Sequence, residues 1–302
     1  MENQFLITIP EGSSTLSLPR NLSAINRQLI TANATYRISI QATPTSATQG
    51  GILTVQSANL GWQTGAMWRH GQRLREAFMD AMAVSEEETF SDESPIPLMA
   101  ENPYDEFRPY LDDDHQQGAS PEIFADGVGT PNTPLTLGEW DYTQLGLFGN
   151  QDSAGSGIDN CSVILMGMHR QDVGGNYTAV GLVESWLQNT NAPGSQSDRE
   201  PVLDPDVDNP ALLLYRGGQE DEVDDAITLI SESNRTRPYL LDSVQMALTT
   251  RGQMRMDPDS FSPVRVSSFS AVGGLVRFGN ATGASVDAII TIHSHSTSQY
   301  EI

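Results

Sequence analysis

Apolar residues recur along this chain with two periods. At residues 36–40, Tyr36, Ile38 and Ile40 alternate with Arg37 and Ser39, the pattern of a half-buried strand. Residues 5–9 and 51–55 read as strands too, the second after the turn-like Gln49-Gly50-Gly51. Residues 161–168 form a near-continuous apolar run, as in a strand buried on both faces. Residues 177–187 read as the next strand, reached through a turn at 172–176. Residues 264–268, 275–278 and 286–293 finish the chain as strands separated by Gly and Asn turns. Shorter apolar stretches lie at 135–147, around Trp140 and Tyr142, and at 212–215.

The helical period appears twice. Over residues 66–82, Met67, Leu74, Phe78, Ala81 and Met82 fall on one stripe, with Arg69, Arg73, Glu76 and Asp80 opposite. Gly71 on the apolar stripe predicts a close approach by a neighbour. Val223, Ala226, Ile227 and Ile230 form a second amphipathic stripe, and Glu220-Asp221-Glu222 complement its helix dipole. The expectation is a mainly β chain of about nine strands and two short helices without internal repeats. The fold class expected is an antiparallel β-sandwich with long loop insertions, as a single domain over residues 1–302. Residues 84–134 read as an acidic irregular insertion and residues 198–222 as an acidic loop.

Charge sharpens this picture. All 16 basic residues of the 302 are arginine, against 39 acids, for a net charge of −23. A chain of this length with average usage would hold roughly 15–20 lysines. Residues 80–126 hold 14 acids and one arginine, and residues 198–225 hold ten acids and two arginines. The remainder is nearly neutral, so the reading is a balanced β framework carrying acidic loops. Guanidinium groups are planar and bond bidentately, which suits fixed pairing within and between subunits. Such lysine-free, acidic chemistry also fits a salt-rich setting.

Cys161 is the one cysteine, so no intramolecular disulfide forms, and its apolar surroundings predict burial. No signal peptide or membrane span is expected. The six Asn-x-Ser/Thr sequons, at Asn21, Asn33, Asn160, Asn176, Asn234 and Asn280, read as coincidence in an Asn- and Thr-rich chain.

Candidate chemistry is sparse. The chain has no phosphate loop, no dinucleotide fingerprint after a strand, no G-x-S-x-G elbow and no Cys/His zinc spacing. An enzyme is not expected, and no cofactor is required. Asp112, Asp113 and Asp114, and separately Asp204, Asp206 and Asp208, offer oxygen ligands for Ca²⁺, although neither set fits an EF-hand loop. His293 and His295 alternate on one strand face, the start of a metal site with no evident third ligand. Arg69, Arg73 and Arg75 are the one basic concentration, suited to a subunit contact or to phosphate. Trp62, Trp68, Trp140 and Trp186 could build an aromatic platform for a glycan, though Trp140 and Trp186 read as core.

The segments 138–145 (GEWDYTQL), 161–169 (CSVILMGMH) and 177–187, with 273–278 (GGLVRF) and 288–292 (AIITI), resemble coat proteins of small circular single-stranded DNA viruses. The resemblance spans residues 135–302. It implies a single eight-stranded jelly roll and a structural role in a virion, with many copies closing an icosahedral shell and a surface that meets a host receptor. The acidic, lysine-free composition places such a virus with a prokaryotic, archaeal or halophilic host. Many such coats carry a basic N-terminal arm that neutralises the genome. Residues 1–20 here hold one base, Arg20, and two acids, which counts against direct nucleic-acid contact. Two other classes remain open: a carbohydrate-binding β-sandwich or glycosidase, and a virus spike or tail accessory protein.

Overall fold

A computed structural model describes residues 3–32, 35–45, 50–88, 107–126, 128, 142–147, 159–171, 177–191, 248–258 and 261–296. The chain divides into two compact units. The first comprises Met1–Gly65, Leu111–Asp141 and Leu248–Ile302; the second comprises Ala66–Tyr110 and Tyr142–Ala247.

In chain order the strands are β1 (Gln4–Ile9), β2 (Gly12–Ser17), β3 (Thr35–Pro44), β4 (Gly51–Ser57), β5 (Glu122–Ile123), β6 (Gln144–Leu147) and β7 (Asp159–Ile164). There follow β8 (Arg170–Gln171), β9 (Tyr177–Gly181), β10 (Thr249–Met256), β11 (Val264–Val272), β12 (Leu275–Asn280) and β13 (Val286–Ser296). Four helices are described, not two: α1 (Leu18–Asn26), α2 (Trp62–Glu88), α3 (Asp113–Gln116) and α4 (Leu182–Asn191).

The first unit contains two sheets, ordered β1-β13-β3-β11 and β10-β4-β12-β2-β5. The first four strands each pair antiparallel with a partner counted back from the chain end. β1 lies on β13, β2 on β12, β3 on β11 and β4 on β10. Successive pairs alternate between the sheets, and β13–β3 and β12–β4 contacts complete them. Alternation drives this arrangement. Phe5, Ile7 and Ile9 on β1 and Tyr36, Ile38 and Ile40 on β3 turn inward, while Gln4, Thr8 and Arg37 turn out. These inward residues join Leu53 and Val55 of β4 and Val276 and Phe278 of β12 in one apolar cluster drawn from both sheets.

Two strands and a helix of this unit lack such a signal. β2 is Ser- and Thr-rich, and its buried Thr15 is satisfied by Ser120 (Oγ1···Oγ 2.9 Å) and by a backbone bond to Pro121 (2.9 Å). β10 buries only Met254 and Met256. A Cβ on its Gly252 would sit 2.8 Å from Val266, and the register slips there as a bulge. α1 starts with Pro19 in its first turn and stops where Arg27 adopts φ 49°, a left-handed cap. The 84–134 stretch is not irregular throughout, because α3 and β5 fall inside it and β5 pairs parallel with β2. Asn21 and Asn280 are buried, so those two sequons cannot accept a glycan in the folded chain.

The second unit holds a sheet ordered β6-β7-β9-β8, in which β7 and β9 run parallel. The run 161–168 leaves the strand after Ile164, and the strand expected over 177–187 ends at Gly181, where α4 begins. At that junction a Cβ on Gly181 would lie 2.6 Å from the Gly167 carbonyl oxygen. Cys161 is buried as expected. α2 buries Met67, Leu74 and Phe78 on the stripe foreseen, with Trp68 set edge-on to Phe107 (ring centroids 5.2 Å apart). The stripe residues Ala81 and Met82 and the second helix expected near 223–230 lie outside the residues whose side chains are described.

Gly71 sits in the tightest of these contacts: a Cβ there would come within 2.3 Å of Phe107 and 2.9 Å of Leu182. Gly→Ala in a helix ordinarily gains up to about 1 kcal/mol. Here the overlap wins, and Gly71→Ala is expected to cost about 1–3 kcal/mol, read as a lower urea midpoint.

Candidate functional site

The described polar groups concentrate where residues 111–126 cross the β2–β12 end of the five-stranded sheet. Asp112 starts the strap by capping α3, its Oδ1 accepting from the His115 amide at 3.0 Å. Arg277, outward on β12, then donates to Asp112 Oδ2 (2.6 Å), to Asp114 Oδ2 and to Ser13 Oγ (3.0 Å). Further along, Arg20 of α1 pairs with Glu122 at 2.5 Å and lies over the Phe124 ring. Asn21 donates to the Ile123 carbonyl and accepts from the Ala125 amide (2.7 Å). Ala125 bridges Ile7 of β1, so this one segment binds the end strand of both sheets.

His115 lies beneath this network, its Nδ1 accepting from the Leu111 amide at 3.1 Å, which places the proton of the neutral ring on Nε2. Burial, and then the charges of Arg20 and Arg277, lower its pKa to about 3. In the second unit His70 pairs with Ser185 across α2 and α4 (2.8 Å), and burial, then Arg73, lower its pKa to about 4.

Of the three aspartates considered for calcium, Asp112 and Asp114 are both taken up by the Arg277 guanidinium. Asp204, Asp206 and Asp208, with the rest of the 198–222 loop, lie outside the described residues. The ladder bulges between Ile292 and Ser294; His293 Nε2 meets Ser39 Oγ at 2.9 Å, while His295 stacks on Tyr36. Among the described residues no group of three or more His, Cys, Asp or Glu could hold a metal ion. Arg69 and Arg73 stand about 40° apart around α2, but Arg75 projects from another side, so the three do not converge. Trp68 is 1% exposed and cannot stack on a glycan; Trp186 is half-buried, and the Trp62 side chain and Trp140 lie outside the described residues.

The outer face of the four-stranded sheet was missed at the level of sequence. Arg37 and Arg265 are exposed there and bond neutral oxygens, Ser268 Oγ at 3.3 Å and Gln41 Oε1 at 2.6 Å. Each looks isolated along the chain, and only the β3–β11 register brings them together.

Comparison of the chain with protein-family models, with curated proteins and with solved structures finds no match. No helix among the described residues is long and apolar enough to cross a membrane.

Two predictions follow from the buried charges. Arg277 is 21% exposed and Asp112 14%, so removing the cation strands a largely buried carboxylate. Arg277→Met is expected to cost about 3 kcal/mol of unfolding free energy. Adding Asp112→Asn and Asp114→Asn to it should recover part of that loss in the same denaturation assay.

The histidines predict acid lability. Each is held neutral on folding, so the unfolded chain takes up its proton first as pH falls below 6.5. Stability is full above that pH and drains down to about 4 for His70 and about 3 for His115. Between pH 7 and 5 each should remove about 2 kcal/mol. His70→Gln, which can keep the Ser185 bond, should flatten the pH dependence by that amount; unchanged slopes in urea titrations would count against it.

Proposed function

We propose that this chain is the coat subunit of a small icosahedral virus, its first unit a single jelly roll and its role assembly without catalysis. The support for the jelly roll is the nested pairing of β1–β13, β2–β12, β3–β11 and β4–β10, alternating between two sheets that share one core. Everything between β4 and β10 in the chain, including the whole second unit, is then an insertion at one connection of the roll. At the ends away from the strap, β10 and β11 are the end strands of the two sheets among the described residues. Strand ends of this kind are contacts that symmetric assembly can use. The glycan-binding reading is weakened because Trp68 serves the core.

Purified protein examined by size-exclusion chromatography and negative-stain microscopy should give closed particles of uniform size. A stable 32.8 kDa monomer at every salt and Ca²⁺ concentration would sink the proposal.

A further inference from the structure

Tyr110 and Tyr142, both in the second unit, stack with ring centroids 3.8 Å apart and planes 19° from parallel. Aromatic pairs ordinarily keep roughly 4.5–7 Å between centroids, because full overlap sets two negative ring faces against each other. A separation equal to an ordinary carbon–carbon contact, roughly 3.5–4.0 Å, leaves the rings little room for offset. The other tyrosines among the described residues, Tyr36 and Tyr177, meet histidine rings at 6.0 and 6.1 Å.

Backbone pairing imposes this overlap. The Tyr110 amide donates to the Val163 carbonyl, and the Leu165 amide donates to the Tyr110 carbonyl, both at 2.8 Å. The Thr143 amide donates to the Arg108 carbonyl (2.9 Å), and the Val163 amide to the Thr143 carbonyl (3.2 Å). The Arg108 amide closes the set on Thr143 Oγ1 at 2.7 Å. Val163 of β7 thus holds Tyr110 through its carbonyl and Thr143 through its amide, which brings the two tyrosine rings together. Both tyrosines are half-buried, within reach of a small oxidant.

We propose that Tyr110 and Tyr142 are a site of oxidative crosslinking, joined Cε to Cε as dityrosine within one chain. The reaction consumes two equivalents of a one-electron oxidant, the class to which peroxidase intermediates and oxidised metal complexes belong. Each phenol gives one electron to the oxidant and its hydroxyl proton to water. The phenoxyl radicals share their unpaired electron with the Cε carbons and combine there. Each joined carbon then releases its proton as the oxygen regains one, so the product is the chain less two hydrogen atoms. Close overlap favours the first step, since a ring that has lost an electron is a cation over the face of its partner. The chain leaves the second unit after Tyr110 and re-enters it at Tyr142, so the bond closes residues 110–142 into a covalent ring. The site lies within the second unit and stands independently of the coat reading.

Photo-oxidation of the full chain with a ruthenium tris-bipyridine complex and persulfate, at low protein concentration, tests this. The intact chain should become lighter by two hydrogens and gain the blue fluorescence of dityrosine. No arginine or lysine lies between residues 110 and 142, so mapping uses a protease that cuts at acids, and the linked peptides should carry Tyr110 and Tyr142. Tyr110→Phe and Tyr142→Phe keep the stacked rings but lack one phenol. Each should lose this linked peptide, whereas Tyr177→Phe should keep it. Oxidation after unfolding in urea should lose it too. The crosslinked fraction should show a higher urea midpoint than untreated protein, because the closed ring persists in the unfolded chain, and a thiol reductant should not reverse the shift. The proposal is overturned by wild-type crosslinks that map only to other tyrosines or between chains, by no crosslink at all, or by an equal yield of the 110–142 link from the unfolded chain.

Discussion

Pairing of β1 with β13 joins residues almost the full chain apart, Gln4 against Thr291, and the two-sheet core depends on that closure. Half of the inward side chains belong to the first four strands and half to the last four, so neither set can bury its apolar face alone. Closing a loop of this length costs roughly 5 kcal/mol, but each doubling adds only about 0.6. That slow growth explains how the β4–β10 pair tolerates everything between Ser57 and Thr249. The entropy of the added chain raises the cost little, and a second unit that folds on itself shortens the effective loop further.

Arginine does work in this closure that an ammonium group could not match. Arg277 fans across two carboxylates of one helical turn and a serine on the adjoining strand. Arg251 makes a smaller fork at the β4 end, donating to two neutral oxygens, Ser57 Oγ (2.7 Å) and the Ala58 carbonyl (2.6 Å). Each is a planar fork with its directions set, so one side chain fixes several backbone segments at once. Among the described residues the long-range ion pairs of this lysine-free chain are of this directional kind.

The framework strands were legible because their apolar residues alternate: β1, β3, β4 and β11 to β13 stand close to where the pattern puts them. β2 and β10 were not, since their inward positions are filled by Ser, Thr or widely spaced Met, and tertiary pairing overrides the local signal. α4 was hidden because Leu182 and Val183 continue the apolar run of β9, and only the packing at Gly181 turns the chain. The acids at 112–114 were visible as a charge cluster, but what neutralises them was not, because Arg277 is remote in sequence. Arg37 and Arg265 are the converse case: each is unremarkable alone and meaningful only in the β3–β11 register.

The strap and the exposed Arg37 and Arg265 follow from one constraint. Outward positions on a sheet are free of the core, so they can be given to charge; both sheets place arginines there, and the strap brings carboxylates to one of them. On the five-stranded sheet, outward Arg277 is consumed by α3, and the strap that brings the acids also covers the β1 and β2 strands, blunting both against unwanted pairing. On the four-stranded sheet no segment among the described residues crosses Arg37 and Arg265, so these guanidiniums keep both charge and access. A unit built this way has an electrostatic direction through its thickness, from acids to bare arginines.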